Sequence, residues 1–279
     1  MSFWYFLCDL LPVPMLQWDF MKNALLAVLL IAPLFGLTST MIVTGKMSFF
    51  SDALGHASFT AIAIGCIFGL VNPTWVAVFF SALFAFLFSY VRSRSNHAAD
   101  TLIGVFSSAA VALGIFVATL DGESFTKYNS YLIGDILSVT PDQLGILALV
   151  LLGILLFWIF LGNKLVLTAI HPQLASSRGI SVYWMQTVFT IIIAVIVTLA
   201  ISWVGLLILN SLLVLPAAAA RNISRNLKQY HGFSILFSLL AGIGGLYLSH
   251  WLGTSSGAAI SLILAAIFIV TFCLRKARS

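Results

Sequence analysis

Seven stretches of this chain contain no Asp, Glu, Lys or Arg: 23–45, 57–91, 101–120, 143–163, 179–220, 232–249 and 251–274. A helix needs about 20 apolar residues to cross a bilayer, so most of these runs are membrane-length. Charge is scarce throughout: 13 Lys or Arg and 8 Asp or Glu in 279 residues, or 8%, with 61% hydrophobic residues. A soluble domain carries about 25% charge. A chain this poor in charge cannot cover a water-facing surface. The expected fold is therefore all-α, a polytopic integral membrane protein. Disordered, collagenous and coiled-coil classes are excluded.

Two runs are too long for a single crossing. The run 57–91 breaks at Asn72-Pro73, because the residue before a proline is pushed out of helical geometry. The run 179–220 breaks near Ser202-Trp203-Val204-Gly205. The uncharged 57–71 is too short alone, so its helix is expected to start near Met47. Nine helices result: 23–45, 47–71, 73–91, 101–120, 143–163, 181–201, 205–220, 232–249 and 251–274. The 205–220 helix is short, so the expectation is eight to nine spans over a permease domain of 23–274. Residues 1–22, with Pro12, Pro14 and aromatics at Phe3, Trp4, Tyr5, Phe6 and Trp18, read as an interfacial segment. Residues 275–279 form a basic tail.

Basic residues set the orientation. Under this threading Lys46, Arg92, Arg94, Lys164, Arg178, Arg221, Arg225, Lys228, Arg275, Lys276 and Arg278 fall on one side, and only Lys22 and Lys127 on the other. The C-terminus is thus expected in the cytoplasm. The opposite face gathers Asp9, Asp19, Asp121, Glu123, Asp135 and Asp142. These either solvate loops or concentrate cations at an outer mouth.

Several chemistries are disfavoured. Cys8, Cys66 and Cys273 are widely spaced, so neither a disulfide frame nor a thiolate cluster is suggested. Glutamate occurs once, at Glu123, which argues against paired-glutamate chemistry. There is no Walker A loop, GxGxxG or HExxH motif, and no polar stretch long enough to bury a soluble core. No nucleic-acid partner is expected. The chain reads as a transport subunit and not an enzyme, so any ATP hydrolysis must belong to another chain.

The most informative stretch is Lys46-Met-Ser-Phe-Phe-Ser-Asp52-Ala-Leu-Gly-His56-Ala. Asp52 and His56 are four residues apart, one helical turn, so they stand on one face with Cβ atoms about 5–6 Å apart. A carboxylate and an imidazole on one stripe can hold a first-row divalent cation. An ionised Asp in the bilayer costs at least ~2.5–3.5 kcal/mol, so it faces the bundle interior or water. Other readings remain open: the pair could lock two helices together, Asp52 could snorkel to the cytoplasmic surface, or the two could relay protons.

Other positions carry weaker signals. Gly134-Asp135 precedes a span and reads either as a hinge or gate, or as a turn with a capping aspartate. His250 sits near the outer end of a span, where an interfacial histidine is the ordinary reading. In Thr168–Ile180, Pro172 suits the first turn of a short helix and Gly179 its C-terminal cap. A short helix lying across the cytoplasmic face is what a permease needs to receive force from an ATPase. Pro216, within Val204–Arg221, frees a backbone carbonyl and can act as a hinge.

Together these stretches resemble the ABC-3 family of bacterial ABC-transporter permeases, from about Asn23 to about Ile269. Lys46-Met-Ser through Asp52-Ala-Leu-Gly-His56-Ala matches the family signature. Asp100-Thr-Leu-Ile-Gly104, Leu132-Ile-Gly134-Asp135-Ile-Leu137, Leu174-Ala175 with Gly179, Val204-Gly205 through Pro216-Ala-Ala-Ala-Ala-Arg221, and Ser256-Gly257-Ala258 follow in the same order. The resemblance implies a dimeric permease on two ATP-binding subunits in a bacterial inner membrane. An extracellular or periplasmic metal-binding protein would deliver the ion. It implies that Asp52 and His56 contact a translocated Zn²⁺ or Mn²⁺, with Fe²⁺ a further option. His171, Pro172, Leu174, Ala175 and Gly179 would form the coupling segment. No permanently bound cofactor is implied. The chain departs from the family at Phe59-Thr60-Ala61, where a Leu-Pro-Gly-type stretch is usual. It also departs at His171, usually acidic, and at Thr254-Ser255, where a proline is common. The rival readings are an ion- or proton-coupled secondary transporter needing no ATPase and an intramembrane acid–base enzyme.

Overall fold

A computed structural model of the chain describes residues 2–9, 14–67, 73–120 and 135–276. Expectations at Asn72, Gly134, the outer acids Asp121 and Glu123, Pro12 and the tail residue Arg278 fall outside the described residues. The described helices are α1 (Ser2–Asp9), α2 (Asp19–Thr44), α3 (Phe50–Ile67), α4 (Pro73–Arg94), α5 (Ala99–Leu120) and α6 (Pro141–Ile170). They continue with α7 (Pro172–Ser177), α8 (Val182–Val204), α9 (Leu206–Ile223), α10 (Leu227–Leu252) and α11 (Ser256–Lys276). Among the described residues seven helices are long and apolar enough to cross a membrane. The 18-residue apolar helices α3 and α9 stand beside them.

Helix ends overrun the uncharged runs. The expected 143–163 is α6, which continues to Ile170, and the expected 232–249 is α10, Leu227–Leu252. A lysine ends an apolar run without ending a helix, since Lys is a good helix former. At about 1.5 Å per residue, the 30-residue α6 spans about 45 Å, well beyond the ~30 Å hydrocarbon core. Real stops have local causes. Asn226 caps α10, its side chain accepting from the Gln229 N–H at 2.8 Å. Gly205 opens α9 with φ 88°, a conformation that favours glycine, and this separates α8 from α9 where the sequence placed a break.

The chain divides into two compact units. One comprises Met1–Thr40, Gly134–Leu155 and Trp203–Ser279; the other comprises Met41–Ile133 and Leu156–Ser202. In the first unit α9, α10 and α11 pack against one another. The packing rests on small residues. One face of α10 buries Ser234, Ser238, Ala241, Gly242, Gly245 and Ser249. Such residues let backbones approach closely, which drives association where lipid is as apolar as leucine. A Cβ on Gly36 of α2 would lie 2.8 Å from Ile235 Cα, and one on Gly245 would lie 2.8 Å from the Ile260 backbone nitrogen of α11. Ser234 Oγ donates to the Gly36 carbonyl across the same contact.

The N-terminal helix α1 is held to the start of α2. Lys22 Nζ lies 2.7 Å from Asp9 and 3.3 Å from Asp19. Trp4 Nε1 donates to the Lys22 carbonyl, and the Tyr5 hydroxyl to Asn23 Oδ1. Phe6, Leu7, Trp18 and Phe20 remain exposed, as suits aromatic and apolar groups at headgroup depth.

In the second unit α3 packs against both α4 and α5. Ser58 of α3 is completely buried and reaches Thr198 of α8 at 3.0 Å and Ser81 of α4 at 3.4 Å. Ser89 of α4 pairs with Thr187 of α8.

The Gly245 contact is against backbone, which cannot rotate away. Gly245→Ala should therefore destabilise the protein by roughly 1–3 kcal/mol. Thermal unfolding of the purified protein in detergent measures this; an unchanged midpoint would show that α10 and α11 can separate freely.

Candidate functional site

The site begins at the turn after α2. The Lys46 N–H bonds the Val43 carbonyl at 3.2 Å and the Met47 N–H bonds Ile42 at 2.9 Å. This pair of bonds closes a Schellman motif with Lys46 in the left-handed position, φ 55°. Arg92 of α4 ties the turn down, donating to the Gly45 carbonyl at 3.2 Å and to Met47 Sδ at 2.9 Å. Phe50, nearly fully buried, stacks on Phe88 with ring centroids 4.9 Å apart. The first turn of α3 is thus fixed from two sides.

Asp52 lies in that first turn. Unsatisfied N–H groups and the helix dipole favour a carboxylate there. His56 follows one turn later. From Phe50 to Ala63 every residue is buried except these two. Their side chains are 46% and 35% exposed respectively. His56 Nε2 stands 3.6 Å from Asp52 Oδ2. That exceeds hydrogen-bond length. It is close to the roughly 3.4 Å that separates two ligand atoms on a tetrahedral ion with bonds of about 2.0–2.1 Å. The structure therefore places both predicted residues side by side on one open stripe. Among the described residues no group of three or more His, Cys, Asp or Glu converges.

Thr60 fixes the next turn. Its hydroxyl bonds the His56 carbonyl at 3.0 Å and the Ala110 carbonyl of α5 at 2.7 Å. The helix runs unbroken through Phe59-Thr60-Ala61. A threonine there joins α3 to α5 without removing a backbone donor, as a proline would.

Each of the remaining sequence candidates has its own local setting. Asp135 is exposed and accepts from the Leu137 N–H at 3.0 Å, capping a short 3₁₀ turn, Ile136–Ser138. Pro216 lies inside α9, which continues through it. His250 is exposed in the last turn of α10. Pro172 opens α7, His171 precedes it, Ala175 is buried and Leu174 is exposed. Gly179, φ 74°, closes α7: its N–H bonds Ser176, and the Ile180 N–H bonds the Ala175 carbonyl.

The sequence reading missed His231. It is half-buried on α10, with Nδ1 2.9 Å from Thr40 Oγ1, and the neighbouring Tyr230 hydroxyl donates to the Thr40 carbonyl. The signal was the four-residue spacing of Tyr230, Ser234 and Ser238, whose face it borders.

The model of the ABC 3 transport family matches residues 17–275. The chain belongs to that family. As an ABC 3 protein it is a multi-pass membrane permease of the ABC-transporter kind. It is 30% identical over 248 residues to the high-affinity zinc uptake system membrane protein ZnuB of Haemophilus influenzae, covering 89% of this chain and 93% of that protein. It is 30% identical over 260 residues to the manganese import system permease protein ScaB of Streptococcus gordonii, covering 92% and 91%. Among solved structures, PsaBC from Streptococcus pneumoniae in complex with Fab matches with a TM-score of 0.77 at 28% identity, over 91% of each chain. Membership in this family favours the permease reading over a secondary transporter working without an ATPase.

Thr60→Val keeps the shape of this permease's site and removes the hydroxyl. Both carbonyls retain their helical partners, and a side-chain hydrogen bond between membrane helices averages about 0.6 kcal/mol. The expected outcome is a small fall in melting temperature. A collapse of the fold would mean the hydroxyl carries far more than these two bonds.

Proposed function

We propose that this permease moves a divalent transition-metal ion, zinc or manganese, into the cell as the membrane subunit of an ATP-driven importer. Asp52 and His56 are its ion-contacting residues. The observation that carries the reading is the half-open Asp52–His56 stripe on an otherwise buried helix, with donor atoms at the bite of a small cation. The names of the relatives agree with it, one from a zinc system and one from a manganese system. One imidazole and one carboxylate are compatible with either metal.

A second copy of the chain would bring a second Asp52 and His56. Two pairs supply four mixed oxygen and nitrogen ligands and two negative charges, which balance a dication. The exposure of the stripe in the single chain suits a homodimer that carries the ion between its copies. ATP-binding subunits would engage the α7 segment, where Leu174 presents an exposed apolar side chain between His171 and Gly179. An extracellular or periplasmic metal-binding protein would load the outer side. The excess of basic residues supports a cytoplasmic α7 and C-terminus.

Ion transfer needs each ligand in its donor form: Asp52 ionised, and His56 neutral with one ring nitrogen free. In reconstituted vesicles containing the ATP-binding and metal-binding partners, Asp52→Asn and His56→Ala should each cut ATP-driven metal uptake at least ten-fold. Their melting temperatures should stay near that of the wild type, because both side chains are half-exposed. Uptake at the wild-type rate by both variants would end this reading.

The coupling segment has its own test. Leu174→Asp places a charge on the exposed apolar position of α7 without touching buried Ala175. Stimulation of ATP hydrolysis by the permease should fall several-fold while the metal affinity of the Asp52–His56 site is retained. Undiminished stimulation would place the ATPase contact elsewhere.

A further inference from the structure

A second polar site lies in the same unit as Asp52 and His56. A cavity of about 220 Å³ opens between the C-terminal ends of α2, α4 and α6, the α2–α3 turn, the first residue of α7 and the second and third turns of α8. Its polar lining includes Lys46, Arg92 and Gln186, and its apolar lining includes Met41, Leu165 and Phe189. Arg92 directs two of its five guanidinium N–H groups to Gly45 and Met47, which leaves donors for another partner. Ion pairs among the described residues involve Lys22 and His56, and none neutralises Lys46 or Arg92. Two cations on one cavity wall without a carboxylate make a site for an anion.

The surroundings narrow the anion. Most lining segments are helix ends or the α2–α3 turn, which puts the mouth of the cavity at headgroup depth, on the side marked cytoplasmic by the basic residues. Basic pockets between membrane helices on that side suit acidic lipid headgroups. A free inorganic anion would use only the polar lining; a phospholipid would use both halves. The backbone also speaks for the charge. Lys46 occupies a left-handed capping position, φ 55°, where glycine is the favoured residue, and the lysine head is exposed at the cavity.

We propose that this cavity binds the phosphate of an anionic phospholipid from the cytoplasmic leaflet. Lys46 and Arg92 hold the headgroup, and the upper acyl chain lies along Met41, Leu165 and Phe189. Pro172, the first residue of α7, lines the same cavity, so the bound lipid braces the segment that leads to the ATPase. The site is independent of the metal-ligating residues, and its occupancy can be read without any transport assay.

Native mass spectrometry of the full-length chain, purified with its associated subunits in neutral detergent, tests the site with phosphatidylglycerol as probe. Lys46→Gly is the informative variant, because it removes the charge and relaxes the backbone, so the fold is retained; a melting curve without lipid checks this. The expected result is phosphatidylglycerol bound to the wild type and bound about five-fold more weakly by Lys46→Gly, the effect of one cation at a membrane surface. Lys46→Gly combined with Arg92→Gln should lose a further several-fold. Inorganic phosphate at millimolar concentration should not displace the lipid, and phosphatidylcholine should bind less. Equal binding by wild type and Lys46→Gly would overturn the proposal. So would full displacement by inorganic phosphate, which would assign the cavity to a soluble anion, or equal binding of phosphatidylcholine.

Discussion

A polar group in hydrocarbon must find its partner inside the protein, and nearly every feature of this chain follows from that constraint. Helices satisfy their own backbone, which is why the described residues between the caps are almost entirely helical. Hydroxyls inside the membrane are satisfied locally first. Thr38, Ser39, Thr40, Thr168 and Thr190 each bond a carbonyl three or four residues back. Among the described residues others reach across helices and tie the elements together, such as Ser58 to α4 and α8, Thr60 to α5, Ser89 to α8, Ser211 to α11 and Ser234 to α2. Against this background a half-exposed Asp52 beside a half-exposed His56 is an expensive arrangement. The surrounding helix is buried, and it sets these two side chains 3.6 Å apart.

The two halves of the chain solve the packing problem differently. Around α10, small residues remove side-chain bulk until backbones touch, as Gly36 and Gly245 demand. Around α3, aromatic contacts fill the space: Phe50 on Phe88, and Phe84 and Phe88 edge-on to Phe106. Close backbone packing gives stiff elements with little tolerance for change. Aromatic packing anchors the first turn of α3 and therefore sets where Asp52 points.

Much of this was legible in the sequence because bilayer physics acts on composition. The uncharged runs located the spans, Gly205 and Pro73 marked breaks, and the spacing of Asp52 and His56 put them on one face. What was not legible had physical reasons. A lysine marks the edge of hydrocarbon and not of a helix, so α6 and α10 overran their predicted ends. The clamp of Lys22 on Asp9 and Asp19 joins residues whose proximity depends on α1 folding back. His231 escaped because it lies one residue outside an apolar run, and its partner Thr40 is 191 positions away. Arg92 read as a boundary charge, and its bonds to Gly45 and Met47 required knowing that α4 returns beside the α2–α3 turn.

A pair of ligands per chain, and not a complete site, is also what throughput demands of the proposed metal path. A closed structural zinc site binds with roughly 10–16 kcal/mol, a dissociation constant of about 10⁻⁷–10⁻¹² M. With association near the diffusional ceiling of about 10⁸–10⁹ M⁻¹s⁻¹, release from such a site would fall from some tens per second to about 10⁻⁴ per second. A carrier held at the tight end of that range would stall after one ion. In the proposed homodimer, carboxylate and imidazole ligands partly open to water and brought together only when two copies meet would weaken the grip and make it depend on conformation. An ATP-driven change in the separation of the copies would then dismantle the coordination shell directly. The 3.6 Å spacing within the chain is set by α3, while in the proposed homodimer the distance between copies would vary. In that proposal a half-site on a movable interface would let a dication be selected by its ligands and released by geometry.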